Sequence, residues 1–322
     1  MADTINHQPL VTVGICCYNR EEGFKHTLQC ITNQTYKNLE IIISQDFNET
    51  LDFGPIASAA HDERITFYKQ PKRLSMYNNF CFLLEKANGQ YFMWAADDDW
   101  WAPEFIEKII AALIANPAAV AGFCDFMEVD EDNNRIASYP NHLPLLQEFV
   151  TGNDVKRVKN YINQFEGFGK ANLFYAIFKT SVLRSQQVID ILKKGDLPGD
   201  MLINLAVLLQ GELVIVSQLL RTCTYTPVKG YVQETHVPRL KNLLFIKVNF
   251  GGLQYLKKKW SDYLYSHFAV IRNSGLGFPQ KISIYLTVIK KIALFYYDLL
   301  CINVYLRGYN IFSKMRRQNT LS

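Results

Sequence analysis

At 322 residues, 49% hydrophobic and 20% charged, the chain has material for a large core, which excludes a disordered or fibrous protein. Residues 1–239 carry 21 Lys and Arg against 28 Asp and Glu, whereas residues 240–322 carry 13 against 2. The acidic body argues against a nucleic-acid partner, and the basic tail points toward an anionic surface.

The run from Leu10 to Cys17 is apolar and rich in β-branched residues, as a buried strand requires, and it stops at Tyr18-Asn19-Arg20. Phe24, Leu28 and Ile31 then recur at helical spacing. Leu39 to Ile43 predicts a second strand, ended by Ser44-Gln45-Asp46-Phe47-Asn48, and Ile65 to Tyr68 a third. Asn78 and Asn79 open a helical pattern through Phe82, Leu83 and Lys86, which Asn88-Gly89 stops. A fourth strand, Tyr91 to Ala95, runs into Asp97-Asp98-Asp99. Pro103 then precedes a helix with Phe105, Ile106, Ile109, Ile110 and Leu113 on one face. This alternation predicts an α/β fold with a mostly parallel twisted sheet, covered on both sides, whose ligands bind beyond the strand carboxyl ends. Asn19, Asp46 and Asp97 to Asp99 each follow a strand, so the fold brings them to one rim. No internal repeat or low-complexity tract interrupts the pattern.

Three adjacent carboxylates repel one another, and a divalent cation with oxygen ligands offsets that repulsion while gripping a diphosphate. The competing reading is an acidic turn at the positive end of the following helix. Asp46 likewise reads either as a ligand contact or as an Asx-turn residue ending a strand. For Trp100 and Trp101 the expectation is that at least one packs on the sheet edge. The seven cysteines lack paired metal-ligand spacing, and Cys16 and Cys17 read as small buried hydrophobes of a reducing compartment.

Val11-Thr-Val-Gly-Ile-Cys-Cys-Tyr-Asn-Arg20 resembles the opening strand and turn of glycosyltransferase family 2. Gln34 to Ile43, Ala87 to Phe92 and Asp97 to Pro103 are similar, in order, to the family's second helix-to-strand passage, the lead-in and the metal motif. The resemblance spans residues 10–115. It implies a GT-A fold, an activated sugar donor that is usually a UDP sugar, Mn²⁺ or Mg²⁺, and inversion at the anomeric carbon. By position it implies that Tyr18 and Asn19 contact the nucleoside and that Asp46 accepts a hydrogen bond from the base. Asp97 and Asp98 then serve the donor, and Asp98 and Asp99 the metal. Lys72 and Arg73, after the third strand, read either as contacts to the diphosphate or as an ordinary solvated pair. The chain departs from the family at Cys16-Cys17, where Pro-Thr is usual, and at Gln45, where an Asp often stands.

Past residue 120 the resemblance thins. Val120 to Val129 predicts a further strand, and Ala171 to Leu183 resembles the acceptor-side strand and turn. In Gly195-Asp-Leu-Pro-Gly-Asp200, ahead of an apolar helix from Met201 to Gln210, Asp200 falls on the family's acidic position and becomes the candidate general base. A helix N-cap is the compatible alternative, and Glu166 and Asp196 are the rivals for the base. Lys229 and His236 lie where family members have a loop that closes on the donor.

The expected division is a catalytic domain over 1–239 and a helical basic extension over 240–322. Lys257-Lys258-Lys259 and Arg316-Arg317 are the densest charge in that extension. Its best apolar stretch, Ile282 to Leu306, is broken by Lys290, Lys291 and Asp298, which argues against a spanning helix. A helix packed on the domain and an interfacial helix remain, the second favoured by the basic and aromatic content. Met1 to Pro9 lacks a secretion-signal pattern, so the expected place is the cytoplasm, peripheral on the inner face of the membrane. The expected acceptor is a glycan or a lipid-linked hydroxyl. A nucleotidyltransferase and a catalytically silent nucleotide-sugar-binding module are the alternatives.

Overall fold

The structure, a computed structural model, describes residues 8–130, 134–135, 142–150, 152–164, 166, 170–195, 198–224 and 253–319. The first half alternates as its sequence pattern predicts. β1 (Val11–Cys17), α1 (Glu21–Thr32), β2 (Leu39–Gln45), α2 (Gly54–Ala59), β3 (Ile65–Lys69), α3 (Met76–Lys86) and β4 (Tyr91–Ala96) follow in turn. Then come β5 (Asp99–Trp101), α4 (Phe105–Ala115), β6 (Ala119–Val129), α5 (His142–Gln147) and α6 (Asp154–Asn163). A 3₁₀ turn (Lys170–Tyr175), β7 (Ile177–Lys179), α7 (Thr180–Leu183), α8 (Gln186–Lys194), α9 (Gly199–Leu208) and β8 (Glu212–Thr224) complete the body. α10 (Leu253–Arg272) and α11 (Phe278–Asn319) close the chain.

The strands form one eight-stranded sheet in the order β3-β2-β1-β4-β7-β6-β8-β5. The first four are parallel, with Val11 of β1 in register with Leu39 of β2 and with Tyr91 of β4. The short β7 runs antiparallel to both β4 and β6, β8 is parallel to β6, and β5 is antiparallel to β8. β1 and β2 are buried along almost their whole length, as strands covered on both faces must be. On one face Phe24, Leu28 and Ile31 of α1 pack with Phe105, Ile106, Ile109 and Ile110 of α4 over Val13, Ile41 and Met93. On the other face Trp94 stacks flat on Phe174 with ring centroids 4.3 Å apart, among Phe80, Phe92 and Phe178.

The helices beyond residue 240 share that second core. Tyr263, Leu264 and Ile271 of α10 and Ile284, Val288, Phe295 and Leu299 of α11 join one cluster with Val158, Leu192 and Leu205. Ionic contacts reinforce the seam: Lys291 Nζ lies 2.6 Å from Glu166 and donates to the Gln164 carbonyl at 2.8 Å, and Lys159 donates to Ser283 at 2.6 Å. Burial works to raise the Glu166 carboxyl, but Lys291 and Lys170 outweigh it and bring it down to about 2. The other face of α11 is open, with Phe278, Ile282, Leu286, Ile289, Tyr297 and Leu300 all exposed. Among the described residues no helix is long and apolar enough to cross a membrane.

Candidate active site

The carboxylate triplet is fixed from below by α1. Thr27 Oγ1 donates to the Ala96 carbonyl at 3.0 Å and to the Asp99 carbonyl at 3.1 Å. Gly23 lets the helix come close, since a Cβ there would stand 2.3 Å from the Asp97 carbonyl oxygen. The three carboxylates then diverge. Arg20, at the start of α1, contacts Asp98 and reaches Asp97 at 3.5 Å. Asp99 instead turns inward, buried, onto Arg221 of β8. Burial, followed by the neighbouring charge of Asp99, pushes the Asp98 carboxyl up to about 6. Burial also raises Asp97, against the pull of Arg20. Trp101 is buried behind the loop, and Trp100 is exposed.

A second group gathers at the ends of β1 and β2. Arg73 donates to the Tyr18 hydroxyl at 2.6 Å and lies over its ring, 4.3 Å from the centroid. Asp46 Oδ1 accepts from the backbone N–H of Phe47 at 2.9 Å and of Leu74 at 2.7 Å, so its carboxylate orders the Arg73 segment while lining the cleft. Asn19 stands exposed beside them, and Lys72 lies outside the lining. Asn48 donates to the Tyr18 carbonyl at 3.0 Å. Gln45 has a bracing role: it donates to the Leu51 carbonyl at 2.7 Å and accepts from Phe53 N–H at 2.9 Å. Cys17 is a core residue as expected, whereas Cys16 is half-buried and lines the cleft. Burial drives both thiols far up, which leaves no thiolate nucleophile.

The opposite wall was not anticipated from sequence. Glu128, near the end of β6, and Asp99 of β5 pair in register with the same β8 residue, Cys223, from its two sides. Arg221 donates to Asn172 Oδ1 at 2.7 Å and stacks 4.5 Å from the centroid of Tyr175, while Asn172 Nδ2 donates to Glu128 Oε1 at 3.3 Å. Glu128, Asn172, Tyr175 and Arg221 thus close a cleft of about 470 Å³ whose other lining residues include Tyr18, Arg20, Asp46, Arg73 and Asp97 to Asp99. Glu128 was detectable, since it ends a predicted strand as Asp46 does. Arg221 was not, because β8 went unrecognised.

Asp200 is partly buried at the second position of α9, so Pro198, and not Asp200, is the N-cap residue. Its carboxylate accepts from the Met201 N–H at 2.8 Å, and its own N–H donates to the Tyr77 hydroxyl at 3.4 Å. Burial pushes its carboxyl up to about 6. It is not among the residues that line the cleft, although its charge acts on the cleft residue Tyr175. Glu166 is occupied by Lys170 and Lys291 in the α10–α11 seam. Asp196, Lys229 and His236 lie outside the described residues.

The profile of glycosyl transferase family 2 matches residues 12–182. The chain belongs to that family. An uncharacterised glycosyltransferase of Haemophilus influenzae is 35% identical over 109 residues, 34% of each chain. The glucosyltransferase WfaP of Escherichia coli is 33% identical over 109 residues, 31% of this chain and 40% of that one. The matched part is thus well under half of these relatives' length. Among solved structures, residues 1–349 of S. aureus TarS superpose with a TM-score of 0.58 at 12% identity, covering 87% of this chain and 70% of that one. That likeness gives the sheet and its flanking helices the GT-A architecture.

Proposed function

We propose that the protein is an inverting, metal-dependent glycosyltransferase that moves a sugar from a UDP-sugar donor to a hydroxyl of a glycan or lipid-linked acceptor. One observation carries the reading: the ends of β1, β2 and β4, far apart in sequence, bring Tyr18, Asp46, Asp97 and Asp98 into one cleft with Arg73. On this reading Tyr18 stacks against the nucleoside, Asp46 accepts from a base N–H, and Arg73 and Arg20 meet the phosphates. WfaP is named for transfer from UDP-Glc to diphosphoundecaprenol-linked GlcNAc, and TarS has been solved with UDP and with UDP-GlcNAc.

The residues fit a divalent cation. Asp98 and Asp97 present oxygens to the cleft, and a guanidinium already rests on both, which marks where positive charge is wanted. Among the described residues no three His, Cys, Asp or Glu side chains gather as a ligand cage. Two carboxylates supplemented by donor phosphates are the mode usual for Mg²⁺. A cation held by Asp98 and Asp97 would neutralise the departing diphosphate. Asp99 anchors the loop through Arg221. Asp200 takes the proton of the acceptor hydroxyl, for which the raised carboxyl near 6 suits work at neutral pH.

The basic extension supports a location at the membrane surface. α11 buries one face on the catalytic body and presents Phe278, Ile282, Leu286 and Ile289 outward, while Lys257 and Lys258 are exposed on α10. This pairing of apolar stripe and basic charge suits the inner, anionic leaflet, where a lipid-linked acceptor would be met. The test is thermal shift and calorimetry with UDP and UDP sugars, with and without Mn²⁺. Binding of UDP sugars that strengthens with Mn²⁺ is expected, and no nucleotide binding under either condition would overturn the reading.

A further inference from the structure

We propose that Glu128 reads a hydroxyl of the transferred sugar and so sets which donor sugar the cleft accepts, an inference that rests on the nucleotide-sugar function above. The sheet order gives the cleft a direction. Tyr18 and Asp46 follow β1 and β2, Asp97 and Asp98 lead from the neighbouring β4 into β5, and β8 sets Asp99 of β5 and Glu128 of β6 on its two sides at Cys223. A nucleotide sugar laid base to β2 and diphosphate to β4 therefore ends with its sugar against β6 and β8.

Glu128 is built to receive a donor there. Its Oε1 is held by Asn172, which Arg221 fixes in turn, and Arg221 is already committed to Asp99. Its Oε2 is out of water and has no hydrogen-bond partner among the described residues. A buried carboxyl oxygen without a donor is costly, so a ligand that supplies one gains affinity. Burial pushes the Glu128 carboxyl up to about 7 even against the pull of Arg221, the mark of an acceptor short of donors. Phosphate offers no proton to it and repels its charge. A sugar hydroxyl offers the proton and carries no charge.

The experiment is calorimetric titration of the full chain, Glu128→Ala and Glu128→Gln with UDP, UDP-glucose, UDP-galactose and UDP-GlcNAc in Mn²⁺. UDP is expected to bind all three proteins within about twofold, which also shows that the variants fold. For the UDP sugar that the unaltered protein binds best, Glu128→Ala is expected to lose roughly tenfold or more. Glu128→Gln, which keeps size and one acceptor oxygen, should lose less, and the preference among the three sugars should narrow in both variants. Unchanged UDP-sugar affinities, or a loss that UDP shares in full, would overturn the role of Glu128 and leave the nucleotide-sugar function standing. Failure of the unaltered protein to bind UDP at all would overturn both.

Discussion

Arg221 and Asp99 form an ion pair that water barely reaches, with side chains 1% and 5% exposed. The pair ties β8 to β5 at the foot of the carboxylate loop, and through Asn172 it extends to Glu128. A buried pair of this kind stabilises little relative to an apolar pair, yet losing one partner strands the other charge. Arg221→Met is therefore expected to cost about 3–5 kcal/mol in urea unfolding. Adding Asp99→Leu should recover part of the loss. Equal stability of Arg221→Met and the unaltered protein would mean that the pair is not formed.

Asp98→Ala removes the carboxylate that Arg20 touches and that the cation is proposed to use. The fold should survive, since the loop is held by Thr27 and by Asp99. Mn²⁺ should then no longer strengthen UDP binding in calorimetry. Persistent metal dependence would place the cation elsewhere.

Burial pushes the carboxyls of Asp98 and Asp200 up to about 6. With the cation bound Asp98 is held ionised, so as pH falls through about 6 it is Asp200 that gains a proton, and turnover should fall below that point by about tenfold per unit. Asp200→Asn should lower turnover by roughly 10²–10⁴-fold with UDP-sugar affinity nearly intact. Its residual rate should lose the Asp200 limb of the profile. Normal turnover in this variant would leave Asp200 as a structural residue of α9.

Gly23→Ala tests the support of the loop. The added methyl meets backbone, the Asp97 carbonyl, so α1 or the loop must shift. A loss of about 1–3 kcal/mol is expected, as for overpacking elsewhere. UDP-sugar binding should weaken with it, read in the same calorimetric assay. An unaffected variant would show that the loop tolerates displacement.

Leu286→Asp with Ile289→Asp places charge on the open face of α11 without touching its buried face. Flotation with vesicles rich in anionic lipid should fall sharply, and higher salt should release the unaltered protein as screening grows. Retention of the double variant on vesicles would argue that this face does not meet lipid.

The parallel half of the sheet was legible because each of its strands is a short apolar run, and each such run ends at a polar cluster. Leu39 to Ile43 and Tyr91 to Ala95 were placed within two residues of β2 and β4. Glu212–Thr224 was missed because nine of its thirteen residues are not fully buried and Gln218 and Arg221 break its apolar run. With it went Arg221, and with Arg221 the reason that the third carboxylate of the triplet faces inward. Asp200 was singled out by resemblance, but its setting on α9 depends on how that helix meets the 3₁₀ turn, where Asn204 donates to the Lys170 carbonyl, a contact between segments that sequence spacing does not encode. The packing of α10 and α11 was equally hidden, because Lys291 interrupts an apolar pattern and looks solvated until Glu166 is seen beside it.

The seam at β7 has a further meaning. Among the described residues, Tyr91–Lys179 and Phe92–Phe178 are the register pairs that join it to β4, and Ala121–Phe178 and Gly122–Ile177 those that join it to β6. On the proposed reading, the nucleotide is held on one side of this narrow ladder and the sugar is read on the other. The two sides are nonetheless tied once more, by β5 pairing on β8 and by Arg221 on Asp99, so any change of the sugar side that keeps the nucleotide side intact must keep Arg221.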